Sequence, residues 1–242
     1  MRSKVMVVVA LALALALALA AGVLFASGQQ EGAAEPIRLG GVWPLGDITG
    51  EQGSKAAQLA VDEINANGGL LGRPVELVVI DSEFSPDKGA AAIERLATVN
   101  KVDFFIGGMS SSVHLGQIPA LKRYRKVTVW TGAASHLVEE AVGPDQDWYF
   151  HLHPWDYNQG AGYVEGWTAI AERYPDIVID RWFLAYEEGP FGSASFEATQ
   201  ELFTDMDIDG ESFQSAAAGG GDYTAVLERA KEYDPDVFIW AG

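Results

Sequence analysis

The sequence predicts an α/β protein made of two doubly wound, Rossmann-like lobes joined by a hinge. Three observations carry that prediction. Short apolar runs of strand length alternate with segments of helical periodicity from residue 37 onward. The intervening signals are helix starts and stops rather than hairpin turns, so the strands are parallel and joined by right-handed crossovers. The alternation then restarts near Pro154.

Taken in order, Ile37–Trp43 is a strand closed by Pro44. Ser54 to Asn67 places Ala57, Leu59, Ala60, Val61 and Ile64 at helical spacing, and Asn67-Gly68-Gly69 stops it. Val75–Ile80 is a second strand ended by Asp81, and Ser85-Pro86 opens a helix that runs to about Asn100. Phe104–Ile106 leads into Gly107-Gly108, a helix follows from Ser112 to Tyr124, and Val127–Trp130 is the fourth strand. Tyr149–Leu152 is a strand and Asp156 to Tyr174 a helix. Then come strand Ile179–Tyr186, helix Phe191 to Asp205, strand Glu211–Ser215, helix Tyr223–Tyr233 and strand Val237–Trp240. The expected division is a first lobe over 37–153 and a second over 154–242. The second lobe is expected to be incomplete, because the chain stops straight after a buried-type strand.

The first 28 residues have their own pattern. Arg2 and Lys4 precede an apolar run from Val5 to Ala26, and Ala26-Ser27-Gly28 supplies small residues for cleavage after Gly28. A secretory signal peptide is expected, with an uncleaved anchor as the alternative, since the run is also long enough to span a bilayer. Ser27 stands where lipidation requires Cys. Residues 29–36 read as a flexible tether. The bulk of the chain is expected outside the cytoplasm, in the periplasm or its equivalent.

Composition excludes more than it identifies. The 242 residues carry 16 Lys and Arg against 34 Asp and Glu, a net charge of −18, which argues against nucleic acid as a partner. No cysteine is present, so disulfides, thiolate metal sites and a Cys nucleophile are excluded. His151-x-His153 lacks a third ligand and reads as interlobe packing. Lys122-Arg123-x-Arg125-Lys126 lies at a helix end, where cations complement the dipole.

In open α/β sheets ligands bind beyond the carboxyl ends of strands. The loop after the first strand has Gly46, Gly50 and Gly53, which make neither a dinucleotide fingerprint nor a P-loop. Asp81 is expected to cap backbone in the cleft. Ser110-Ser111-Ser112 at a helix start offers hydroxyls and free N–H groups to a carboxylate-sized anion; a plain Ser N-cap is the competing account. No triad, nucleophile elbow or cofactor motif accompanies it, so neither a catalytic residue nor a cofactor is expected. Phe191, between Gly189-Pro190 and Gly192, is the candidate aromatic wall.

One stretch is more specific. Pro44-Leu45, Gly50 and Gly53 are followed by Ala60-Val61-Asp62-Glu63-Ile64-Asn65-Ala66-Asn67-Gly68-Gly69-Leu70-Leu71-Gly72-Arg73, then Asp81, Gly107 with Ser110–Ser112, Gly132-Ala133-Ala134, Asp156-x-x-Gln159-Gly160 and Phe191-Gly192. From Ile37 to Gly242 this resembles the periplasmic substrate-binding proteins of branched-chain amino acid-type ABC transporters, the type I periplasmic binding protein fold. The resemblance implies a monomer whose lobes close on an amino acid-like ligand and deliver it to a membrane permease. It places the ligand carboxylate on Ser110 with Ser111 and Ser112, adds contacts from Ala133, Ala134 and Ser135, and packs Phe191 on the ligand. Gln52 stands where a covering apolar residue is frequent, Ala134 where Thr is frequent, and Asp156 completes the candidate ligand residues. A sensory module of the same fold is the alternative function.

Overall fold

The computed structural model describes residues 35–144, 146–215 and 222–242. The expected signal peptide and most of the tether lie outside the described residues.

The first lobe runs β1 (Ile37–Trp43), α1 (Ile48–Ala66), β2 (Val75–Asp81), α2 (Pro86–Thr98), β3 (Phe104–Gly107), α3 (Ser111–Tyr124), β4 (Thr128–Trp130), α4 (His136–Val142) and β5 (Tyr149–His151). Its strands form one parallel sheet in the order β2-β1-β3-β4-β5. The second lobe runs α5 (Asp156–Arg173), β6 (Arg181–Glu187), α6 (Pro190–Asp205), β7 (Asp209–Ser215), α7 (Thr224–Tyr233) and β8 (Val237–Ala241). Its parallel sheet has the order β7-β6-β8. Each lobe therefore reverses strand order beside its first strand, between β1 and β3 and between β6 and β8. A crevice opens at such a point, because successive helices leave on opposite faces of the sheet.

The α/β class and the alternating elements follow the sequence pattern, with two departures. Helix α1 begins at Ile48, six residues before the expected Ser54. Asp47 caps it, its Oδ1 accepting the Thr49 N–H at 2.8 Å. Gly50 and Gly53, which read as loop, lie inside this helix. A Cβ on Gly50 would overlap the Pro44 carbonyl oxygen, and one on Gly53 would sit 3.0 Å from Trp43 Nε1. Close approach to the preceding strand, rather than a turn, demands these glycines. The second departure is α4, a seven-residue helix with no expected counterpart, capped by Ser135.

Each lobe has its own core. Ile93, Leu96, Phe105, Leu121 and Trp130 anchor the first. In the second, alternate residues of β6 serve opposite faces: Trp182 and Leu184 pack with Phe203, while Phe183 and Ala185 pack with Val226. A central parallel strand covered by helices on both sides must be apolar on both.

His114 is fully buried in the first core, stacked on Trp130 at 4.2 Å. Its Nδ1 meets Gln117 Oε1 at 2.9 Å and its Nε2 meets the Tyr149 hydroxyl at 2.7 Å. Burial opposes the imidazolium and lowers the His114 pKa to about 3. Because the folded pKa lies below the unfolded one, the unfolded chain binds the extra proton. Stability is then complete above the unfolded value and falls as the pH drops toward 3. From this group alone we expect about 2 kcal/mol less stability at pH 5 than at pH 7. Urea unfolding at the two pH values checks it, and His114→Leu should flatten the difference.

Candidate functional site

A cavity of about 440 Å³ opens between the lobes, and its lining comes from the carboxyl ends of all eight strands of the described residues. Asp47 and Thr49 follow β1, Phe84 follows β2, and Met109, Ser110 and Ser111 follow β3. Thr131 to Ala134 follow β4, and His153 follows β5. Glu187 ends β6, Phe191 lies in the first turn of α6, Tyr223 lies between β7 and α7, and Trp240 and Gly242 close the circuit at β8.

Ser110 is the N-cap of α3, its Oγ accepting the Val113 N–H at 3.4 Å. The first backbone bond of the helix runs from His114 N–H to the Ser110 carbonyl at 2.9 Å. The Ser111 and Ser112 amides stand ahead of that bond, in the positive end of a 14-residue helix. Cap and anion site are thus compatible: the Ser110 hydroxyl accepts from the helix and keeps its proton to donate.

The loop after β4 is fixed against this helix end. The Ala133 N–H donates to the Met109 carbonyl at 3.1 Å, and Ala133 itself holds a left-handed φ of 65°. A Cβ on Gly132 would lie 2.7 Å from the Gly108 carbonyl oxygen, so the two loops touch through backbone alone. The Ser135 N–H donates to Ser111 Oγ at 3.2 Å.

Opposite charges complete the lining. Asp47 and Glu187 bring carboxyl groups, and no Lys or Arg is among the lining residues described. Hydrogen bonds from the Thr49 hydroxyl and amide hold the Asp47 carboxyl below the ordinary carboxylate range. His151 lies behind the cleft, its Nε2–H donating to the Gly132 carbonyl at 2.7 Å and its ring stacked on Trp155 at 3.8 Å. Burial lowers its pKa. Among the described residues no three ligating side chains gather to hold a metal ion.

Of the residues singled out from sequence, Ser110, Ser111, Ala133, Ala134 and Phe191 meet in this cavity. Four stand outside its lining. Gln52 is exposed on α1, since starting that helix at Ile48 carries it away from the cleft. Ser112 lies at the seam between lobes; a Cβ on Gly189 would be 3.6 Å from its Oγ. Ser135 is wholly buried as the cap of α4. Asp156 is 1% exposed beneath the loop after β4, where Oδ2 accepts from His136 N and lies 2.8 Å from His136 Nδ1. Its Oδ1 accepts the Tyr157 N–H at 2.8 Å. Asp81 takes the Leu45 and Glu83 amides on Oδ1 at 2.9 and 2.8 Å, the backbone cap expected of it.

Sequence reasoning places Asp47, Met109 and Thr131 in loops at strand ends without singling them out as ligand residues, and passes over Phe84, Glu187, Tyr223 and Trp240. Their shared signal is position, close to a strand's carboxyl end or in the loop that follows it.

A family model described as periplasmic binding protein matches residues 36–242. The Leu/Ile/Val-binding protein homolog 1 of Brucella melitensis biotype 1 is 22% identical over 200 residues, covering 81% of this chain and 50% of that protein. The leucine-, isoleucine-, valine-, threonine- and alanine-binding protein of Pseudomonas aeruginosa is 27% identical over 203 residues, with 83% and 52% covered. The chain spans about half the length of the curated relatives it matches. The branched-chain amino acid transporter substrate binding protein LivJ from Streptococcus pneumoniae, solved with isoleucine, superposes with a TM-score of 0.70 at 22% identity, covering 85% of this chain and 56% of its own.

Proposed function

The chain belongs to the periplasmic binding protein family, and from that premise we propose that it captures a small amino acid-like ligand between its lobes outside the cytoplasm. It then hands that ligand to an ABC transporter permease. Members of the family are in general non-enzymatic substrate-binding proteins, and the binding role here needs no chemistry on the ligand.

The observation that carries the reading is the charge layout of the cleft. The N-terminus of α3 with the Ser110 hydroxyl suits a carboxylate, and Asp47 and Glu187 line the same cavity with carboxyl groups that suit an ammonium. A zwitterion satisfies both ends at once. Acidic groups without a Lys or Arg among the described lining disfavour a ligand that is purely anionic. The ligand enters as a whole and leaves as a whole, so lobe separation is the step that sets release.

Calorimetric titration of the purified chain with neutral amino acids tests the reading, with thermal melting alongside. A ligand present at 100 times its Kd adds about 2.7 kcal/mol to stability, and the melting temperature should rise accordingly. Ser110→Ala should weaken binding by about 1–3 kcal/mol, because one ligand oxygen loses its donor. Affinity unchanged in that variant would remove Ser110 from the site.

A further inference from the structure

Beside its polar groups the cleft has an aromatic flank, and one member of that flank is held there against its own backbone preference. Glu83 and Phe84 both take left-handed φ, 47° and 53°, a region that bulky L-residues rarely occupy. Several bonds fix the turn. Asp81 Oδ1 accepts the Glu83 N–H, the Ser85 N–H donates to the Ser82 carbonyl at 2.8 Å, and the Ser82 N–H donates to the Trp43 carbonyl at 3.0 Å. Lys88 pairs with Glu83, and Ser85 caps α2 through the Lys88 amide. Such conformations persist only where the surroundings over-determine them, and they gather at ligand sites. Here the outcome is that Phe84 joins the cleft lining.

From the second lobe Phe191, Tyr223 and Trp240 enter the same lining. Tyr223 and Trp240 meet edge to face, their ring centres 5.1 Å apart at 90°, so each fixes the plane of the other. No Leu, Ile or Val is among the lining residues described. The carboxylate and ammonium of a zwitterion are already provided for by Ser110 and the acidic pair. Beyond Met109 and the small Ala133 and Ala134, the apolar lining described is therefore aromatic rather than branched and aliphatic. Rings gain from offset or edge contacts with other rings beyond the area they bury, and aliphatic groups do not share that gain.

We propose that the cleft selects a ligand with an aromatic ring beside its charged groups, and that Phe84 is the residue that determines the selection. The proposal rests on the amino acid-type reading of the cleft and adds the substrate class to it.

L-phenylalanine and L-leucine share a zwitterionic end and differ in ring against branch, so they isolate the point. Calorimetry on the purified chain should show phenylalanine bound about tenfold tighter than leucine. Phe84→Ala should erase that preference by weakening phenylalanine selectively, with leucine changed less than about threefold. Circular dichroism melting confirms that the variant is folded; if it is not, Phe84→Leu keeps the apolar bulk and should lose the ring preference alone. Leucine bound as tightly as phenylalanine, or Phe84 variants that weaken both equally, would overturn the proposal while leaving the amino acid reading in place. Binding of neither ligand by the folded chain overturns both.

Discussion

Trp130→Ala is expected to destabilise the first lobe by about 3–5 kcal/mol, the cost of emptying a large, fully packed aromatic site. The indole is 1% exposed and stacks on His114 at 4.2 Å with 21° between the planes. It also lies directly under the turn that leads to Ser110. Gly108 holds a φ of 94°, and a Cβ there would overlap the indole, so indole and turn are packed as one unit. Removing the ring leaves a cavity that close-packed neighbours fill only in part. It also leaves Gly108 without the ring it packs on. Urea unfolding should show the loss, and ligand affinity should fall in the folded fraction. Trp130→Phe should retain much of both. A loss under about 1 kcal/mol for the alanine variant would mean that the turn and helix α3 hold themselves without the indole.

Asp156→Ala should cost about 3 kcal/mol, through unpaired donors rather than lost volume. The carboxyl group accepts from the His136 and Tyr157 amides and meets the His136 ring, and the Asp156 N–H donates to the Ala134 carbonyl at 2.8 Å. These bonds tie the start of α5, the first helix of the second lobe, to the cleft loop of the first. Removing the side chain leaves the His136 and Tyr157 amides without their acceptor, the expensive half of the hydrogen-bond balance. Asp156→Asn keeps acceptor oxygen for one amide and should lose less. The family resemblance suggests a ligand contact at Asp156. Here the residue is buried outside the cavity lining and bonded to backbone amides, and the two roles separate experimentally: a strut lowers stability in the absence of ligand, and a pure contact lowers affinity only. Chemical unfolding of the ligand-free variant decides between them.

Most of the fold was legible because its determinants are local. Strand runs such as Ile37–Trp43 and Val75–Asp81 announce themselves by apolar composition and length, and Ser85-Pro86 announces a helix by cap chemistry. The misread start of α1 has a definite cause. Gly50 and Gly53 carry a loop signal by composition, yet they serve close packing against Pro44 and Trp43, contacts made only when helix and strand meet. Helix α4 is seven residues long, too short for periodicity to register.

The candidate site divides along the same line. Ser110 and Ser111 were visible because three hydroxyls at a helix start have an intrinsic electrostatic meaning, whatever packs around them. Phe191 was visible through its flanking glycines and proline. Phe84 was not, because nothing in Glu83-Phe84 foretells a left-handed turn. That conformation is imposed by Asp81 and Ser82, which take their own positions from β1 and β2.

The alternation of strands and helices, the two-lobe division in outline and the family were all written in the linear chain, through local propensities and a motif that survives without coordinates. Which side chains share the cleft was settled only on folding. Folding drew Asp47, Phe84, Glu187, Tyr223 and Trp240 together and set Gln52, Ser112, Ser135 and Asp156 outside the lining. Membership of the cleft depends on strand order and on where each turn aims its side chain. Both are fixed by contacts between residues far apart in the chain, and neither is encoded in the spacing of near neighbours.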